Sequence, residues 1–157
     1  MRLRTLRILA LSALLALAPS LARAQAPLLD PSMLFDLGGR ALAGAIQTAR
    51  DEVRRSGTQP IPKAMRQQLA QVFPLELLDR VTYRVGERGG LGVQALRSGH
   101  VMAMTFIDVI VFQKREDAEN NDAVWAHELT HVLQYERWGV EEFARRYVRD
   151  YNAVEDE

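Results

Sequence analysis

The chain has 157 residues, with 20 Lys+Arg against 20 Asp+Glu, three histidines and no cysteine. The missing cysteines exclude a disulfide framework and any thiolate metal site. The charge, even overall and mildly acidic once residues 1–24 are removed, gives no expectation of a basic stripe, and nucleic acid is not an expected partner.

Residues 1–24 read as a secretory signal peptide: MRLRTLR is a basic head, residues 8–18 form an apolar stretch, and LARAQA ends in small residues. An apolar run of 11 residues is shorter than the roughly 20 that a membrane span needs. Cleavage near Ala24 or Ala26 is expected, leaving no membrane span and a periplasmic or secreted protein. Removing Arg2, Arg4, Arg7 and Arg23 lowers Lys+Arg from 20 to 16 and makes the remainder mildly acidic. Residues 25–157 are long enough for one core and one domain.

The first element, PSMLFDLGGRALAGAIQTARDEVRRSG, places Leu34, Leu37, Leu42, Ala45, Ile46, Ala49 and Val53 near a 3.6-residue period. Gly57 is its expected stop. After Pro60 and Pro62 a second amphipathic segment follows, with Met65, Leu69, Val72, Phe73, Leu77 and Leu78 on its stripe and a bend expected near Pro74.

Beyond Asp79 the texture becomes that of two or three antiparallel strands: VTYRVG, LGVQAL and the β-rich run VMAMTFIDVIVF. Glycines 86, 89, 90 and 92 fit a hairpin turn and match no phosphate-loop or dinucleotide pattern. Asp108 interrupts the last run, as a bulge, a sheet edge or a side chain aimed at a site. KREDAENNDA is a polar connection whose Asn120, Asn121 or Asp122 caps the next helix. Gly139 ends that helix, and VEEFARRYVRDY carries a further helical stripe that packs back on it.

The chemistry lies in WAHELTHVLQYERWG. Residues four apart on a helix stand about 6 Å apart along the axis and face nearly the same way, so His127 and His131 can offer nitrogens to one ion. Glu128 can reach a water at that ion without binding the ion itself. It would take that water's proton, release a hydroxide onto a carbonyl, and return the proton to the leaving amine. Val124, Leu129, Val132 and Leu133 make the helix apolar, and burying His127, Glu128 and His131 with it is costly without a compensating charge.

A third ligand is needed. Gln134 and Arg137 stand where a glycine and a third histidine would complete H-E-x-x-H-x-x-G-x-x-H. The remaining donors are Glu141, Glu142, Glu155, Glu157 and His100. Glu141 and Glu142 need a sharp reversal to reach back, whereas Glu155 follows one helix length of antiparallel return, so Glu155 is the expected ligand. Tyr135, Tyr147, Tyr151 and His100 are candidate oxyanion donors, and spacing does not choose among them.

The stretch WAHELTHVLQYERWGVEEFARRYVRDYNAVEDE resembles the HExxH-bearing core domain associated with extracellular contractile injection systems. The pattern H-E-x-x-H-x-x-Q after a strand-bearing segment matches His127, Glu128, His131 and Gln134, and a later E-x-E matches Glu155 and Glu157. The resemblance covers residues 101–157. It implies an α+β, zincin-like fold of the glutamate-ligand type: N-terminal helices, a small antiparallel sheet, an HExxH helix and a C-terminal helix. It also implies a Zn2+ metallopeptidase.

The expectation is an exported zinc hydrolase of peptide or protein substrates, with Glu128 as general base and His127, His131 and Glu155 as ligands. The alternative is a non-catalytic metal-binding or interaction module of the bacterial envelope that keeps the same helix.

Overall fold

A computed structural model describes residues 31–86 and 101–155. The signal peptide, the glycines at 89, 90 and 92, LGVQAL and His100 lie outside the described residues. Within them the chain is α+β, with five helices and one four-stranded sheet.

Helix α1 spans Pro31–Arg55. Its buried face is Leu42, Ala43, Ile46, Ala49 and Val53, as the period requires, but Leu37 is 59% exposed. The helix stops where expected: Gly57 takes φ 92°, and its N–H bonds to Arg54 O at 3.1 Å. Arg84 Nη1 donates to Gly57 O at 2.9 Å and also to Ser56 O, so a cation satisfies carbonyls at the negative end of the helix.

The second segment is two short helices, α2 (Lys63–Leu69) and α3 (Leu75–Arg80), preceded by the two-residue strand β1 (Gln59–Pro60). Pro62 and Pro74 stand at their N-caps, positions where a missing N–H costs nothing. Met65, Leu69, Leu77 and Leu78 are buried, whereas Val72, in the break between the two helices, is 80% exposed.

Strands β2 (Thr82–Val85), β3 (Ala103–Phe106) and β4 (Val109–Phe112) complete a sheet of order β1-β2-β4-β3. The expected all-antiparallel sheet is corrected here: β3 and β4 pair antiparallel, but β2 and β4 pair parallel. Burial gives the reason. All four residues of β4 are wholly buried, as a continuous apolar run demands of a central strand covered on both faces. The second arm of the hairpin therefore takes the centre, which leaves β3 outside and β4 running with β2.

Asp108 is neither a bulge nor aimed at the histidines; with Ile107 it forms the tight β3–β4 turn. Ile107 has φ 62°, a strained value for a β-branched residue. The turn is clamped by three residues, two on α1 and one on β2. Arg50 donates to Asp108 through Nε (2.6 Å) and Nη2 (2.9 Å), and Arg54 Nη2 donates at 2.6 Å. Thr82 N–H donates to Asp108 O at 3.1 Å. Burial works to raise the Asp108 carboxyl, but the Arg50 hydrogen bond and the Arg50 and Arg54 charges outweigh it and hold it below its ordinary range.

The polar connection expected after β4 contains a short helix, α4 (Arg115–Asn120). Its Arg, Glu and Ala residues are good helix formers, and packing anchors it: Ala118 is wholly buried and its carbonyl accepts the Trp125 indole N–H at 2.8 Å. Asn121 then caps the long helix α5 (Asp122–Glu155), its Oδ1 accepting Val124 N–H at 3.2 Å.

Gly139, at φ 74° and ψ 163°, breaks α5. Residues 131 and 143 of an unbroken helix would stand about 18 Å apart. Instead the Phe143 ring lies 5.9 Å from His131 and 4.0 Å from Tyr135, so residues 140–155 turn back along residues 122–138. Arg146 stacking over Trp138 at 4.3 Å ties the two sides of the break.

The core has two parts, divided by β4. Val109 and Val111 join the apolar face of α1, Phe106, Tyr135 and the returning residues Phe143, Ala144 and Val148. Ile110 and Phe112 join α2, α3, Tyr83, Trp125, Leu129 and Val132. The first half of α5 contributes to both, which fixes its axial rotation and decides which residues face the sheet.

Candidate metal centre

With Trp125, Leu129 and Val132 buried, the neighbouring face of α5 carries His127, His131 and Gln134 toward the surface. The expected joint burial of the three motif residues is not found: His127 is exposed, His131 half-buried, and only Glu128 is buried, at 5% exposure. The histidines sit one turn apart and converge. Their Nε2 atoms are 3.2 Å from each other, with the rings edge-on at 89°. His131 Nδ1 stands 2.8 Å from Gln134 Oε1, and Phe143 abuts the His131 ring edge-on.

That separation provides a test of whether the residues fit zinc. Two nitrogens at about 2.0–2.1 Å from a tetrahedral ion stand about 3.3 Å apart. The pair already has this separation, Nε2 to Nε2. The same distance is that of a hydrogen bond between the two rings.

Glu128 turns toward the sheet side of the helix, with His127 near enough for its charge to act on the carboxyl. Thr105 Oγ1 donates to Glu128 Oε2 at 2.6 Å and lies 3.2 Å from the Glu128 backbone O. Burial pushes the Glu128 carboxyl above its ordinary range, while the Thr105 hydrogen bond and the His127 charge pull it partly back. Thr105 itself is 7% exposed. Sequence reading missed it, because a threonine in a strand carries no signal of its own. Its role comes from β3 lying beside α5.

The remaining candidates divide clearly. Glu142 is engaged by Arg145 and Arg146 at 2.7 Å each, and the Arg146 hydrogen bond leads the effects that lower its carboxyl. Glu141 is exposed. Glu155 is the last residue of α5; its side chain, like Tyr151's, and Glu157 lie outside the described residues. Among the described residues no cluster of three or more metal-ligating side chains forms.

Tyr135 is buried, its hydroxyl 3.4 Å from Thr105 O, and burial followed by the Glu128 and Tyr147 charges raises its pKa far above the ordinary value, so it stays a neutral donor. Tyr147 is half-buried with its ring 6.2 Å from Phe143. None of the described helices is long and apolar enough to cross a membrane.

No curated protein and no solved structure matches the chain. A family model does, over residues 60–139, which is 80 of the 157 residues. The match begins at β1, earlier than the stretch that carried the resemblance, and ends at Gly139 where α5 breaks. It takes in the sheet apart from Gln59, and His127, Glu128, His131 and Gln134. By that match the chain belongs to the eCIS core domain family.

Proposed function

We propose that the chain is an exported zinc metallopeptidase of zincin type, cleaving peptide bonds in a peptide or protein substrate. The observation that carries this reading is the 3.2 Å separation of the His127 and His131 Nε2 atoms, the spacing a tetrahedral ion imposes on two imidazoles. Glu155 is the third ligand, brought back by the helix that reverses at Gly139. A zinc ion held there supplies Lewis acidity and a water acidic enough to lose its proton near neutral pH.

The protein's own part is proton management and positioning. Glu128, its carboxyl raised by burial, is the proton acceptor and later the donor to the leaving amine. Thr105 holds one of its oxygens, leaving the other for the transferred proton. Tyr135 stays protonated and belongs to the core, which leaves the oxyanion to a donor elsewhere.

A second reading has its own observation. Glu128 is buried and bonded within the core, as a residue retained for folding would be, and a non-catalytic metal-binding or interaction module fits that placement. Glu128→Gln separates the two. The peptidase loses cleavage of a casein or peptide-library substrate while keeping its zinc. A preparation that binds zinc and cleaves nothing favours the module.

A further inference from the structure

Gln134 lies one turn beyond His131 on the same face of α5, with Oε1 2.8 Å from His131 Nδ1. An amide oxygen has no hydrogen to give, so this bond requires the proton on Nδ1. A neutral imidazole protonated there keeps its lone pair on Nε2, the nitrogen turned toward His127 Nε2. Resting on the zinc-site reading above, we infer that Gln134 is a positioning residue that fixes the His131 tautomer and so presets Nε2 as a metal donor.

The two histidines are then unequal. With the His131 lone pair on Nε2, the hydrogen between the rings comes from His127 Nε2 in the metal-free chain. Loading requires His127 to move that hydrogen to its Nδ1, whereas His131 keeps its form. Phe143 against the His131 ring at 88° restrains ring rotation, and Gln134 is only half-buried, so replacing it leaves the fully buried core residues in place.

The test is imidazole 15N NMR on the full chain, with His131 assigned through His131→Ala, followed by zinc titration. The metal-free wild type is expected to show His131 protonated at Nδ1. Gln134→Leu loses that preference and binds zinc about 10- to 100-fold more weakly. Gln134→Glu, which still accepts the Nδ1 hydrogen, restores both. A wild-type His131 protonated at Nε2 overturns the proposal. Equal zinc affinity in wild type and Gln134→Leu overturns it while leaving the metal site standing. A wild type that binds no zinc overturns the site and Gln134's role together.

Discussion

Thr105 and Glu128 are the two buried polar side chains of the described core, and each is the other's partner: Oγ1 of the first donates to Oε2 of the second at 2.6 Å. The bond joins the edge strand β3 to the helix that carries the histidines. It satisfies the Glu128 oxygen where little solvent reaches it.

Thr105→Val keeps the shape and removes the donor. It is expected to cost about 1–3 kcal/mol, the desolvation penalty of a buried acceptor left without its bond. Thr105→Ser keeps the hydroxyl, forfeits one methyl, and costs about 0.8 kcal/mol. Urea denaturation of the three proteins at neutral pH gives the comparison; equal losses in both variants would mean that the methyl, not the hydrogen bond, is what matters.

The Asp108 clamp has a pH signature. Its folded carboxyl ionises at lower pH than in the unfolded chain, where an aspartate titrates near about 3.9. The stabilisation is therefore complete above that value and is lost as pH falls through the folded value. Asp108→Asn is expected to destabilise by about 1.5–3 kcal/mol near neutral pH. Its deficit against wild type should close as the pH is lowered past 3.9. A gap constant from pH 7 to pH 3 would show that the charge on Asp108 is not what holds the turn.

Much of this organisation is readable from residue type. Gly57 and Gly139 end helices because positive φ is cheap only for glycine, and the chain turns at both. The histidine pair follows from a four-residue spacing. What sequence does not show is tertiary choice. Nothing in VIVF says that it occupies the sheet's centre, parallel to β2, until it is seen buried on both faces. Val72 fits a helical stripe yet falls in the break before Pro74. KREDAENNDA is polar enough to pass for a loop, and its short helix is recognised only when Ala118 is seen buried against Trp125. Thr105 acquires meaning only when β3 is laid against α5.

Gly139 combines φ 74° and ψ 163° with open space around its missing Cβ. Gly139→Ala therefore meets no neighbour and carries backbone strain alone, about 1–3 kcal/mol. If thermal unfolding shows no change, residues 122–138 and 140–155 do not depend on this conformation to pack.

Gly39 and Gly44 of α1 make a matched pair. A Cβ on Gly39 would come within 3.0 Å of Arg145 Cα, on the backbone of the returning helix, whereas a Cβ on Gly44 meets nothing within 4 Å. Gly44→Ala is expected to stabilise by up to about 1 kcal/mol through helix propensity. Gly39→Ala should destabilise despite the same propensity gain, because overpacking costs about 1–3 kcal/mol. Chemical denaturation of both decides; a Gly39→Ala variant as stable as Gly44→Ala would mean that α1 and the returning helix do not approach this closely.

Whether His127 and His131 hold a metal is settled by zinc stoichiometry of the purified protein, measured by mass spectrometry. The expected result is one zinc per chain in wild type and in Glu128→Gln, lost in His127→Ala and His131→Ala and weakened in Glu155→Ala. Zinc absent from the wild type after reconstitution, or bound equally by the histidine variants, would contradict it.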